Sequence, residues 1–320
     1  MLMRRSLITC VILLLVASVT PALARWKSSG DAGCGEFSDN VNSAQDGDVL
    51  TPMYEQDFGR NTNGVVITKQ IEVEGGWSSG TANCNTTNSF DSPEAMLAAG
   101  FVFDPAQRTD LRAFGDRVLG ASSTVKSLKL RNLRFTQFGN FTGNGAGFGQ
   151  SGSGLSGATI ELDNSLFQPD LVSGLTATGN GGGLYLELDG SSVLRITNST
   201  FSGNSAANGG AIQVRLRGNS TLIIAASTFQ NNTATGSGGA IRVILEGGSV
   251  VIADTSFSGN TAATGGRDIR IEASGVSALA QSAQPKVFLL RNTYSGSNSV
   301  SITGIVTVYD EQVALPLLRK

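Results

Sequence analysis

Phe201, Phe229 and Phe257 follow one another at intervals of 28 residues, each in the same surroundings. Asn198-Ser-Thr-Phe201-Ser-Gly-Asn204 recurs as Ala226-Ser-Thr-Phe229-Gln-Asn-Asn232 and again as Asp254-Thr-Ser-Phe257-Ser-Gly-Asn260. Each copy leads into a glycine pair: Gly209-Gly-Ala-Ile212, Gly238-Gly-Ala-Ile241 and Gly265-Gly-Arg-Asp268-Ile269. Weaker copies surround Phe135, Phe167, Gly182-Gly-Leu184 and Tyr294. A fixed period of this length marks a repeat architecture, in which each unit buries its apolar face only against its neighbours.

Inside each unit the apolar period is two, as in a strand with one buried face. Leu184, Leu186 and Leu188 alternate with Tyr185, Glu187 and Asp189; Ile212, Val214 and Leu216 repeat the pattern, then Ile241, Val243 and Leu245. A second strand keeps register through Leu194 and Ile196, Leu222 and Ile224, Val250 and Ile252. A helix would need apolar residues three and four apart and would carry glycine pairs at about 1 kcal/mol per residue. The pattern therefore predicts an all-β chain, a parallel β-helix whose 28-residue coil holds two alternating strands and a shorter third. Stacked phenylalanines are expected inside, with Asn204, Asn232 and Asn260 in a turn column. The coils are expected to end near Trp77, Phe135, Phe167, Phe201, Phe229, Phe257 and Tyr294.

The Phe-x-x-Asn and Gly-Gly-Ala-Ile motifs resemble the repeats of the polymorphic outer membrane protein family of chlamydial autotransporters. Asp46-Gly-Asp48-Val-Leu, Tyr54 and Val65-Val-Ile-Thr-Lys-Gln-Ile71-Glu-Val-Glu-Gly-Gly-Trp77 look like the opening coil of the pectin lyase-like class. That resemblance implies a right-handed parallel β-helix, an architecture that hosts lyases, hydrolases and adhesins alike. The alternating C-terminal strands of an autotransporter barrel are not found here.

Residues 1–24 read as a secretory signal peptide: Arg4 and Arg5, an apolar stretch, then Ala22-Leu23-Ala24. Residues 25–64 are assigned to an N-terminal cap, 65–309 to the β-helix and 310–320 to a tail. An insertion at 78–124 holds Ser92-Pro-Glu-Ala-Met-Leu-Ala-Ala-Gly100, a short helix with a serine cap, proline at its start and glycine after its end. Once the signal and its Cys10 are removed, Cys34 and Cys84 remain and are expected to form a disulfide that ties the insertion down as a cap. A secreted or cell-surface monomer with no membrane-spanning segment is expected.

The chain has no histidine, which removes His-dependent nucleophile pairs and His metal ligands. A net charge of -2 gives no basic field for nucleic acid. No metal site and no cofactor are expected. Outward rows down the stack read Tyr185, Gln213, Arg242, Arg270; then Glu187, Arg215, Ile244, Glu272; then Asp189, Arg217, Glu246, Ser274. Opposite charges mostly meet, as in a solvated ladder. The expected function is binding of a glycan or surface protein without catalysis, through Tyr185, Glu187, Gln213, Arg215, Arg242 and Arg270, because interfaces favour tyrosine and arginine. The alternative is a polysaccharide lyase or glycoside hydrolase of the pectin lyase-like class. Its acids and partners would be Glu246, Asp268, Glu272, Arg242 and Arg270, with Asp268 standing where the other copies have alanine.

Overall fold

The computed structural model describes residues 25–29, 37–53, 64–78, 89–168, 175–274, 284–310 and 313–319. The expected signal peptide and both cysteines of the expected disulfide lie outside these residues. The repeat is the coil of a parallel β-helix, and its sequence register is its strand register. Leu194 pairs with Leu222 and Leu222 with Val250; Phe201 pairs with Phe229 and Phe229 with Phe257; Ile212 pairs with Ile241 and Ile241 with Ile269.

Among the described residues the solenoid consists of three long sheets and a short one. The longest has twelve strands and includes Val193–Thr197, Thr221–Ala225 and Ser249–Ala253. A seven-stranded sheet carries the phenylalanines, from Thr109–Phe114 to Thr293–Tyr294. A nine-stranded sheet contains Leu184–Asp189, Ile212–Leu216, Ile241–Leu245 and Ile269–Ala273. Between the last two sheets runs a three-stranded strip of Ser205–Ala206, Thr233–Ala234 and Thr261–Ala262, preceded by the single parallel bridges of Thr176 with Ser205 and of Phe141 with Ala177.

The motifs that define the repeat are its corners. Between the twelve- and seven-stranded sheets the chain turns on one left-handed residue: Asn132, Asn164, Asn198, Ala226, Asp254 and Arg291 have φ between 45° and 54°. Asparagine adopts this conformation more readily than most residues, hence its frequency there. At the next corner each buried asparagine amide serves two coils. Asn232 Nδ2 donates to the Phe201 carbonyl (3.0 Å) and to Asn260 Oδ1 (3.0 Å), and Asn204 bonds in the same way to Phe167 and Asn232. Phe-x-x-Asn is thus one coil's link to the next. The glycine pair is required by space and backbone angle together. Gly209 has φ 57°, and a Cβ on Gly210 would stand 2.2 Å from the Gly239 carbonyl oxygen.

Inside, Leu186, Val214, Val243 and Ile271 are fully buried, and the rings stack along the axis. From Phe135 to Tyr294 successive centroids lie 4.3 to 5.3 Å apart with interplanar angles of 4° to 17°. The column starts on Leu111, the partner of Phe135. Burying each ring contributes roughly 1.5–3 kcal/mol.

Trp77 departs from the expected pattern. It belongs to a second, smaller core with Met53, Met96 and Phe101, edge-on to Trp26 at 5.9 Å. Its strand, Trp77–Ser78, pairs antiparallel with Val102–Phe103 and so leaves the solenoid. The helix expected in the insertion forms at Pro93–Ala98, with Ser92 Oγ accepting from the Ala95 N–H (3.2 Å), and its Met96 anchors this second core. Later parts of the same stretch are rungs of the solenoid: Thr109–Phe114 pairs with Leu133–Phe138, and Leu119–Ser122 with Phe148–Ser151. The main core's N-terminal end is covered by Phe37–Ser43, a helix that buries Phe37 and Val41. At the other end Val313–Arg319 pairs antiparallel with Val306–Asp310 and closes the edge of the longest sheet, which removes an exposed template for another chain.

Candidate functional site

The nine-stranded sheet carries the charged residues on its outer face, and the strand register puts the three sequence rows where the spacing predicts. Tyr185 pairs with Gln213, Gln213 with Arg242 and Arg242 with Arg270. Parallel neighbours stand about 4.8 Å apart, within reach of long side chains. Two clusters form on this face.

The first joins Tyr185, Glu187, Arg215, Arg217 and Glu246. The Tyr185 hydroxyl donates to Glu187 Oε1 at 2.6 Å, and Arg217 Nη1 donates to Glu187 Oε2 at 3.2 Å. Glu246 is held by two guanidinium groups, Arg215 Nη1 at 2.8 Å and Arg217 Nε at 2.8 Å. The second joins Gln213, Arg242, Glu272 and Arg270. Arg242 reaches Glu272 Oε2 at 2.6 Å and Gln213 Oε1 at 3.2 Å, while Arg270 Nε donates to Glu272 Oε1 at 3.1 Å. Ile244 lies between Arg215 and Glu272 in the middle row and separates the clusters.

Protonation follows from these contacts. Burial, then the bond to Glu187, pushes the Tyr185 phenol up to about 12. Burial acts to raise the Glu272 carboxyl, but the hydrogen bonds and charges of Arg242 and Arg270 outweigh it and hold the group below its ordinary value. Each pair is partly exposed and contributes about 0–1 kcal/mol, so the network orders the face more than it stabilises the fold.

Of the residues expected to bind, Tyr185, Glu187, Arg215, Arg242 and Arg270 share this face. Gln213 shares it but is 3% exposed, lying beneath Arg242. Of the residues named for an enzyme, Glu246 belongs to the first cluster and Arg242, Arg270 and Glu272 to the second. Asp268 belongs to neither. It is 1% exposed at the asparagine corner, where Asn260 Nδ2 donates to it at 2.8 Å. Arg217 is absent from both expected sites, although the sequence rows place it in the ladder.

Arg117 is a further residue that the repeat pattern does not reveal. Its guanidinium donates to the carbonyls of Gly145 (3.0 Å), Gln150 (2.9 Å) and Asn144 (2.8 Å), and lies 5.3 Å from the Phe141 ring. Burial lowers its pKa from the usual arginine value. The signal for it is Gly149, which precedes Tyr185 in the outward row: a Cβ there would stand 2.9 Å from Arg117 Nε. Among the described residues no group of three or more carboxylates or cysteines could hold a metal ion, and no helix is long and apolar enough to cross a membrane.

Residues 198–215 and 226–243 match the Chlamydia polymorphic membrane protein repeat. These spans run from the left-handed corner through the phenylalanine, the corner asparagine and the glycine pair to the strands bearing Arg215 and Arg242. Two solved structures of the pectin methylesterase from Aspergillus niger are similar. Its penultimately deglycosylated form is 10% identical with a TM-score of 0.43, and its deglycosylated form 9% identical with a TM-score of 0.36. Both alignments cover 93% of this chain and 92% of the other. Comparison with curated proteins finds no match. The chain is a parallel β-helix that carries two repeats similar to those of the chlamydial polymorphic membrane proteins.

Proposed function

We propose that the protein is exported through residues 1–24 and acts outside the cell or at its surface, binding a glycan or protein partner through the charged face without turning it over. The observation that supports this reading is the engagement of the carboxylates. Glu246 and Glu272 each accept from two arginines. A general acid needs a carboxyl raised toward neutral pH, and Glu272 is shifted the other way. What the face offers instead is an ordered row of guanidinium groups beside a tyrosine ring, suited to reading polar or acidic groups. Similarity to repeats of a membrane protein family of Chlamydia agrees with a surface role.

The test is the double variant Tyr185→Ala with Arg242→Ala. Its folding stability should stay within about 1 kcal/mol of wild type, as for surface changes, while capture on a glycan array or on intact cells weakens. Capture that survives the double change, or release of unsaturated or reducing sugar from a polyuronate in the presence of calcium, would show the assignment to be wrong.

A further inference from the structure

The last coil is cut short at one corner. Ile241 follows Phe229 by twelve residues and Ile269 follows Phe257 by twelve, but Val300 follows Tyr294 by six. Strand pairing holds on both sides of the shortening, Tyr294 with Phe257 and Val300 with Ile269. The residues left out are those that elsewhere make the short third strand and the glycine turn. Thr261–Ala262 is therefore the last strand of its strip and, among the described residues, pairs only with Thr233–Ala234. A cavity of about 390 Å³ lies there, between residues 262–267 on one wall and Ser297, Asn298 and Ser301 on the other.

Three features of this notch point to a ligand. In the coil before, the carbonyls of Asn232 and Ala234 accept the N–H groups of Thr261 (2.8 Å) and Ala263 (3.3 Å). The equivalent carbonyls, of Asn260 and Ala262, have no following strand of this strip to bond. Second, Arg267 occupies the position of the second glycine. In the coil before, a Cβ on Gly239 would stand 2.1 Å from the Arg267 carbonyl oxygen, so a side chain fits here only because the next turn is short. Arg267 is exposed and, among the described residues, in no ion pair, whereas Arg270 nearby is held by Glu272 and Ser301. Third, the lining includes no aromatic ring, the surface on which a sugar would stack.

We propose that the notch binds the C-terminal end of an extended peptide, laid parallel to Thr261–Ala262 as an added strand with its carboxylate on Arg267. Edge addition takes its affinity from main-chain hydrogen bonds, which the carbonyls of Asn260 and Ala262 can accept. Charge sets the direction: an antiparallel peptide would bring its ammonium group to the guanidinium. Space sets the end. The protein's own backbone resumes at Asn298, whose carbonyl accepts from the Arg267 N–H (2.9 Å), and continues with Ser299, which accepts from Asp268 (2.9 Å) and Ile269 (2.8 Å), so a guest chain ends beside Gly266, within reach of the Arg267 side chain. This site adjoins the charged face, since Ser301 of its wall accepts from Arg270 at 2.6 Å, but it does not depend on that face's function.

The probe is acetyl-Asn-Thr-Ala-Ala-Thr-Gly-Gly with a free carboxylate, the sequence of residues 260–266, titrated into the isotope-labelled full chain and followed by NMR. Shifts are expected at residues 261–267 and 297–301. Amidating the peptide, or making Arg267→Ala, should weaken binding about tenfold through loss of a charge-assisted bond. Inserting Thr-Ala-Ala-Thr-Gly-Gly between Ser297 and Asn298 sets each added residue opposite its counterpart in 261–266, completes the turn and should abolish binding. Equal affinity of acid and amide, binding that survives the insertion, or no shifts at millimolar peptide would each overturn the proposal. So would self-association of the free protein through the same residues, which would make a second copy the occupant. If the insertion does not fold, the amide and Arg267→Ala decide the matter alone.

Discussion

The side-chain amide of Asn260 donates to the carboxylate of Asp268 at 2.8 Å, and this bond ends the asparagine column. Earlier members find their acceptor in the asparagine of the next coil; Asn260 has none, because the next coil is cut short at that corner. Asp268, replacing the alanines at 211 and 240, supplies the oxygen from within its own coil. Its departure from the repeat is structural. Asp268→Asn keeps an acceptor oxygen and should change stability by less than about 1 kcal/mol, whereas Asp268→Ala leaves the Asn260 amide only its bond to the Phe229 carbonyl (3.0 Å), with one buried N–H unpaired, and should cost about 1–3 kcal/mol. Denaturant unfolding of both variants checks this. Equal losses would show that the charge, rather than the bond, is what the corner needs.

The Phe229 ring lies between Phe201 at 4.9 Å and Phe257 at 5.2 Å and is fully buried. Its removal leaves a cavity with a stacked ring above and below, neither of which can collapse without breaking its own coil's register. Phe229→Ala should therefore cost about 3–5 kcal/mol. A measured loss below about 1 kcal/mol, the range of surface changes, would mean that the ring is not in the column.

Where the repeat is regular, position in the sequence reports position in space. A period of two assigns faces and the 28-residue interval assigns neighbours, so Leu194, Phe201 and Ile212 are placed with their partners before any coordinate is known. The same logic finds the ladder rows, although not that Glu246 and Glu272 each gather two arginines, since rotamers decide which partner a long side chain meets. It misplaces Trp77, which looks like a strand end but joins a separate core with Met53 and Met96. It also treats 78–124 as one insertion, because Leu111 replaces phenylalanine at the start of the column and hides the rung. The shortened turn after Tyr294 is visible as a count. Its consequences for Asp268 and Arg267 appear only when the coils are stacked.

Ala226 has φ 48° at the corner that Asn198 and Asp254 occupy in the neighbouring coils. The left-handed conformation costs most L-residues about 1–2 kcal/mol, and asparagine less. Ala226→Asn should therefore stabilise the protein by about 0.5–1 kcal/mol. Because the substitution places an asparagine before Ser227 and Thr228 and so creates a glycosylation acceptor, the comparison is made on protein from a host that does not glycosylate. A rise in the denaturant midpoint with an unchanged slope is the expected result; a fall would argue that this corner is not left-handed.

The last prediction uses the phenol of the charged face. Burial is the larger cause and the bond to Glu187 the second, and together they push Tyr185 up to about 12. The unfolded chain releases the same proton near pH 10, about the ordinary tyrosine value. The folded state therefore holds the proton more tightly, and the stability this group contributes is present below pH 10 and lost as pH rises through its folded value. An absorbance titration of wild type against Tyr185→Phe isolates this group from the other tyrosines, and its step should fall near pH 12. Glu187→Gln removes an acceptor charge but not the burial, so the step should move part of the way toward about 10 rather than all of it. A wild-type step at about 10, the value for a free phenol, would mean that Tyr185 stands clear of Glu187. The ordered network that supports the binding face would then not exist in solution.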